Sequence, residues 1–301
     1  MINTQIEDLN NITCAKREDF EELLIHALKE KLPREAVISL HDTIKNNDAG
    51  YRALCVMMPG KNVSPNFRVD EFYELYKEGE MSIGEITSYI SRKAEEDDRD
   101  ILKTVEDFSD FSAAREHIYM RLISYNRNKE RIEDFPYRKF LDLALVYYYA
   151  VFDDRAGVNG LIRIENDHLD MWGVSEEELY KIANENTFNK LSYDILRLDE
   201  LILNKRVSDF PMLTLTNKRR YNGAVCIYYP SVLKEVSETL NSDLIIIPSS
   251  IHETIIVPYL GDGDVECCNN MIREVNEQHV AAEEVLSDHA YIYDRKSMSL
   301  S

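Results

Sequence analysis

The sequence is short of positive charge, of long apolar runs and of the glycine patterns that hold nucleotides. Lys and Arg number 35 against 55 Asp and Glu, a formal net charge of −20 over 301 residues. Such a surface repels nucleic-acid phosphates and anionic lipid over most of its area, so direct nucleic-acid binding is disfavoured and a phosphate-bearing partner must meet a local basic patch. The longest apolar stretch, Phe140 to Phe152, carries Asp142 and is shorter than the roughly 20 residues that cross a bilayer, so no membrane partner is expected. Met1 to Asn11 is polar, with neither the basic start nor the apolar centre of an export signal. No Walker A sequence, no dinucleotide glycine fingerprint and no interleaving of aromatic and basic residues suited to RNA is present, and no cofactor is expected. The five cysteines, Cys14, Cys55, Cys226, Cys267 and Cys268, are odd in number and scattered. That is the thiol usage of a cytoplasmic protein, not a disulfide framework.

What is present is a core. An apolar share of 44% suffices for one large domain or two of ordinary size. Phe20, Leu23, Leu24, Ala27 and Leu28 form a helical stripe that Pro33 ends. Ala36 to Leu40 and Tyr51 to Met58 read as a hairpin across an exposed turn, Lys45 to Gly50. Asp70 to Lys77 and Ser82 to Lys93 read as helices, the second opened by a Ser82/Glu85 capping box. Further on, Ile118 to Ser124 reads as a strand and Phe140 to Phe152 as a buried one. Asn159-Gly160 reads as a tight turn returning Leu161 to Ile164 onto it. Ser175 to Glu178 reads as a second capping box. Leu213 to Thr216 and Ala224 to Tyr229 are strand-like, Pro230 opens a helix, Cys268 to Val275 has helical spacing, and His289 to Tyr293 alternates as a closing strand.

The fold class is therefore α+β, with mostly antiparallel sheets covered by helices in two or three helix-on-hairpin layers. The expected segments are a flexible terminus at 1–12, an N-terminal layer at 13–95, an acidic connector at 96–110, a middle segment at 111–204 and a C-terminal segment at 205–301.

Against the acidic background one cluster stands out. Asn217, Lys218, Arg219, Arg220, Tyr221, Asn222 and Gly223 form a basic loop, and Pro248, Ser249, Ser250, Ile251, His252 and Glu253 form a polar loop between the apolar runs 244–247 and 255–257. Set side by side, Lys218, Arg219 and Arg220 would present donors to a phosphate or carboxylate, with Asn217, Ser249, Ser250, His252 and Glu253 completing the surface. The plain alternative is that these cations pair with surplus carboxylates. Ser249, His252 and Glu253 are residue types of nucleophilic catalysis, but no Gly-x-Ser-x-Gly elbow surrounds either serine. His252-Glu253 lacks the second histidine of a zinc-protease motif, and Asp262-Gly263-Asp264 lacks the glycine and terminal glutamate of a calcium loop. No metal is expected. Cys267-Cys268 reads as partly core-facing, and Trp172 as a residue packing its helix onto a sheet.

A longer pattern runs through the chain. It comprises Asn166-Asp167-His168-Leu169-Asp170-Met171-Trp172-Gly173-Val174, Glu178-Leu179-Tyr180, Ala183-Asn184-Glu185-Asn186-Thr187, the 217–220 and 248–253 loops and Leu286-Ser287-Asp288-His289. Over nearly its whole length the chain resembles a domain-of-unknown-function family abundant in anaerobic Gram-positive gut bacteria. Its middle and C-terminal parts are also distantly similar to a second uncharacterised bacterial family. The resemblance implies no activity, cofactor or catalytic residue.

Three functions compete. The first is a cytoplasmic binding or adaptor protein whose 217–223 and 248–253 loops meet a small anionic ligand or a partner protein. The second is a hydrolase or transferase for a phosphorylated small molecule, with Arg219 and Arg220 as clamps and His252 as base. The third is an acidic decoy that engages a basic or nucleic-acid-binding protein through Asp97, Asp98 and Asp100.

Overall fold

The structure, a computed structural model, describes residues 16–61, 64–95, 103, 106–153, 157–203 and 211–301. The segment 1–12, Cys14, and Asp97, Asp98 and Asp100 of the acidic connector lie outside these. The chain divides into two units: one takes the sequence up to Val105 except Asn46–Asp48, the other takes Asn46–Asp48 and Glu106–Ser301. The architecture is α+β with antiparallel sheets.

In the first unit, α1 (Arg17–Lys31) turns Phe20, Leu23, Leu24, Ala27 and Leu28 inward. Strands β1 (Val37–Ile44), β2 (Gly50–Met57) and β3 (Asn66–Arg68) form an antiparallel sheet in that order. Leu54 and Val56 of β2 meet α1, α2 (Val69–Lys77) and α3 (Ile83–Glu95), whose Ile83, Ile86 and Ile90 recur at helical spacing. The capping box forms as the sequence implies: Ser82 Oγ accepts from Glu85 N at 3.3 Å, and Glu85 Oε2 accepts from Ser82 N at 2.8 Å.

The second unit has two sheets. The larger runs β13 (Ser299–Leu300), β12 (Tyr291–Asp294), β10 (Leu244–Ser250), β11 (Glu253–Pro258), β9 (Leu213–Asn217), β8 (Tyr193–Arg197). The smaller centres on β6 (Leu143–Asp153), flanked by β4 (Ile118–Ser124) on one side and by β5 (Tyr137–Phe140) and β7 (Gly157–Arg163) on the other. Alternate residues of the two sheets share one core: Met120, Leu122, Leu145, Tyr147 and Tyr149 from the smaller, Leu215, Leu244, Ile246, Ile256, Tyr291 and Tyr293 from the larger. The other faces are covered too, which is why the strands read as unbroken apolar runs. Ile245 and Ile247 pack against Ile272 of α7 (Asp262–Gln278), and Tyr148 packs with Tyr119, Ala150 and Leu191. Burying each such side chain contributes roughly 1.5–3 kcal/mol. Helices α4 (Asn166–Trp172), α5 (Glu176–Asn186) and α6 (Pro230–Leu240) pack in this unit, which also has short helical turns at Phe111–Ala114 and Leu198–Leu203.

Arg138 of β5 anchors α5 through a bidentate pair with Glu176 at 2.8 and 3.0 Å while lying 3.6 Å over the Tyr180 ring. Trp172 packs on Phe108 and Phe111, and its indole N–H donates to the Phe108 carbonyl at 2.9 Å.

Several local readings change. The 140–152 run is two strands, because Leu141 adopts a left-handed φ of 57° and turns the chain between β5 and β6. Asn159 and Gly160 lie inside β7, where Gly160 pairs with Val151, and the connection at 154–156 lies outside the described residues. Ala224 to Tyr229 is not a strand: Gly223–Tyr228 is a 3-10 helix buried at Gly223 through Ile227, where covering on all sides removes the period by which helix and strand are told apart. The hairpin tip expected to be exposed holds a buried Asn46, whose amide donates to the Glu283 carbonyl at 2.7 Å. Of the second capping box only the Ser175 half forms, since Glu178 N donates to Ser175 Oγ at 3.3 Å. Cys268 packs on the cluster beneath α7, whereas Cys267, Met271 and Val275 of the same helix are exposed. Among the described residues no helix is long and apolar enough to cross a membrane.

Candidate functional site

Strand β9 ends at Asn217, whose side chain is buried and ties the basic turn together. Its Oδ1 accepts from Arg219 N at 3.0 Å and Tyr221 N at 3.3 Å, and its Nδ2 donates to the Tyr221 carbonyl at 2.8 Å. A backbone bond from Arg220 N to the Asn217 carbonyl at 2.9 Å closes the turn. Arg220 and Asn222 take left-handed φ values of 52° and 54°, a conformation that asparagine tolerates better than most residues. The result is that Lys218, Arg219 and Arg220 are all exposed. The Arg219 guanidinium lies 5.4 Å from the Phe152 ring, a cation–π placement on the smaller sheet.

Strands β9 and β11 are neighbours, so the basic turn lies beside the connection between β10 and β11. That connection is shorter than the sequence suggests. Pro248, Ser249 and Ser250 belong to β10 and Glu253 opens β11, leaving Ile251 and His252 as the link. Thr216 Oγ1 donates to the His252 carbonyl at 2.8 Å, and Ala224 N donates to the Ile251 carbonyl at 3.2 Å. Gly223 makes the approach possible, because a Cβ there would stand 2.2 Å from Thr216 Oγ1 and 2.6 Å from both Asn217 N and the His252 carbonyl.

His252 is the rivet. Its Nδ1 accepts from Asn222 N at 3.0 Å, so the neutral ring carries its proton on Nε2, which faces Glu284 Oε1 at 3.4 Å. Both ring nitrogens are engaged, and neither meets a serine. Ser250 Oγ accepts from the His252 backbone N–H at 3.0 Å, as a turn-bracing hydroxyl does. Ser249 and Glu253 are half-buried, and among the described residues their side chains form no hydrogen bond with the basic turn. The structure thus brings Asn217, Lys218, Arg219, Arg220 and His252 to one place, leaves Ser250 as a brace, and sets Ser249 and Glu253 on the adjoining strands.

Beneath the turn, beside its own Asn222, lie Arg121 and Tyr148, which the basic loop's sequence does not announce. Arg121, on β4, is only partly exposed, and its Nε is sealed from solvent without a hydrogen-bond partner. Among the described residues no carboxylate pairs with it. Burial works against its charge, nearby Tyr221 and Tyr148 support it, and nearby Arg163 opposes it. The Tyr148 hydroxyl and the Asn222 amide are likewise buried, facing each other and with no other hydrogen-bond partner among the described residues. Burial pushes the Tyr148 hydroxyl upward, and the Asn222 amide, as its hydrogen-bond neighbour, pulls it partly back. Tyr148 is paired with Tyr119 on one side and Arg163 on the other. One signal was available: Arg121 is the single charge in the strand Ile118–Ser124, IYMRLIS.

The chain belongs to a family of unknown function, DUF5688, whose profile matches residues 17–295. No curated protein and no solved structure matches it.

Proposed function

We propose that this protein is a non-catalytic binding or adaptor protein whose recognition surface is the joined pair of segments 217–223 and 248–253, and that it engages an anionic group on a small molecule or partner protein. The observation carrying this reading is the turn itself: three consecutive cations exposed on a backbone held by Asn217 and His252, in a protein that is otherwise strongly acidic. A site fixed before its ligand arrives loses little freedom on binding. The hydrolase reading draws less support, because its intended base, His252, has one ring nitrogen on Asn222 and the other on Glu284. A cytoplasmic setting fits the free thiols, among them Cys226, which burial pushes up to about 12 and so keeps unreactive.

The test is titration calorimetry with pyrophosphate and citrate at low ionic strength on the native chain and on Lys218→Ala/Arg220→Ala. Binding that weakens about tenfold in the double variant, with an unchanged circular dichroism spectrum, supports the reading; equal affinity sinks it. Turnover of a phosphoester that disappears in His252→Ala would replace it with the hydrolase.

A further inference from the structure

We infer that Arg121, Tyr148 and Asn222 form a buried subsite for a phosphoryl group, beneath the basic turn and reached from it. The inference deepens the binding function proposed above and rests on it for the direction of approach.

The argument begins with chemistry that the protein leaves unfinished. A guanidinium stays charged at every physiological pH, so Arg121 cannot escape burial by losing its proton. The groups acting on its charge are Tyr221, Tyr148 and Arg163, with no carboxylate among them. The nearest acids in the surrounding contacts have other partners: Glu165 accepts from Arg163 at 2.8 Å and Glu284 faces His252 at 3.4 Å. Tyr148 and Tyr221 are both shifted upward by burial, and so are neutral phenols near pH 7. Arg163 adds a second positive charge beside Arg121, and its Nε is also buried without a partner. Arg163 has Glu165 as its own counterion, so Arg121 is the charge on this sheet face that no carboxylate among the described residues meets, and a bound anion there is favoured.

The neighbouring orphan groups narrow the class. Arg121 Nε is a donor with no partner, and the Asn222 amide and Tyr148 hydroxyl, which face each other, keep spare donor and acceptor capacity beside it. A tetrahedral anion with three or four oxygens can accept from Arg121, the amide nitrogen and the hydroxyl together, whereas a carboxylate offers two oxygens in one plane. A phosphoryl group fits that description. Lys218 and Arg220 at the exposed rim would attract such an anion, and Arg121 would hold it.

The experiment is thermal unfolding of the full chain at pH 7 in phosphate, acetate or chloride at matched ionic strength, with the Arg121→Met, Arg121→Lys, Asn222→Gly and Lys218→Ala/Arg220→Ala variants. Phosphate is expected to raise the native melting temperature in a saturable way, and acetate to raise it much less. Arg121→Met, an apolar side chain replacing an unpaired cation, should melt no lower than the native chain in chloride and lose the phosphate response. Arg121→Lys keeps the charge but not the planar fork, and should need about tenfold more phosphate for the same shift. Asn222→Gly preserves the left-handed backbone and should weaken the response through a second residue. A native chain indifferent to phosphate beyond ionic strength, or an equal response in Arg121→Met, overturns the subsite. The rim variant separates the two proposals. If it still binds pyrophosphate and citrate as the native chain does, while the Arg121-dependent phosphate shift persists, the surface reading fails and the subsite stands.

Discussion

Asp142 and Arg121 are both partly buried charged groups in the second unit, and their surroundings are opposite. Asp142 accepts from Tyr291 Oη at 2.7 Å and Ser287 Oγ at 3.1 Å, with His289 Nε2 at 3.3 Å. Burial works against this carboxylate, yet hydrogen bonds from His289, Tyr291 and Ser287 outweigh it and hold Asp142 below the usual range. The His289 ring is committed at its other nitrogen too, 3.0 Å from the Ala290 carbonyl. Arg121 has nothing comparable. Both sites lie in the same unit, so the folding of the chain plainly can satisfy a buried charge where the role is to pin the β5–β6 turn to β12. Leaving another unsatisfied beneath an exposed basic turn marks a place whose chemistry is completed from outside.

The widest separation between the two sites should come from Gly223→Ala. The added methyl meets one side-chain oxygen and two backbone atoms, none of which can retreat cheaply, so a loss of about 3 kcal/mol is expected in urea unfolding. Because the strain falls on the roof over Arg121 and not on Asp142, amide exchange should rise first in 217–223 and 251–252. Protection unchanged in both places would show that the close approach is not maintained in solution.

Next in size is Asp142→Ala, expected to cost about 2–3 kcal/mol, since it strands a tyrosine hydroxyl, a serine hydroxyl and an imidazole. Set beside the near-neutral Arg121→Met, it gives the comparison a number. Equal losses from the two substitutions in chloride buffer would mean that the two buried charges are equally well satisfied.

The smallest effect is a pH dependence. His289 is raised above its ordinary value, chiefly by its bond to Asp142 and against the opposing effect of burial. Its contribution to stability is therefore fully present below the unfolded value of about 6.5 and lost as pH rises through the folded one. Asp142 is lowered, so its contribution is present above about pH 4 and lost as pH falls through its folded value. Between these limits the native chain should exceed His289→Gln by of order 1 kcal/mol or less, the gap closing towards pH 8. A gap that widens with alkalinity would mean that the imidazole is neutral throughout.

Elements with their own punctuation were legible in the sequence. Phe20 to Leu28 with Pro33, the Ser82/Glu85 box, and Pro230 at the first turn of α6 each carry a local physical reason for the helix they begin or end. The segment Ala224 to Tyr229 was not, because it is enclosed on every side and so loses its period. Leu141 was not, because nothing in a leucine's identity announces the left-handed conformation it takes at the turn. The basic turn and His252 stood out as charges and polar groups between apolar runs. Arg121 and Tyr148 did not: what makes them notable is the missing partner, a property of three-dimensional neighbours. Only the isolation of Arg121 within an apolar strand hinted at it.

Trp172 is the chain's one indole, and its ring sits against Phe108, Phe111 and His168. Intrinsic fluorescence excited at the red edge therefore watches a single address, the seam between α4 and the 108–111 segment. Emission will report when that seam parts during unfolding. It will stay dark to events at position 121 unless they are transmitted through the packed sheet, which makes the native chain its own control for whether anion capture is local or spreads.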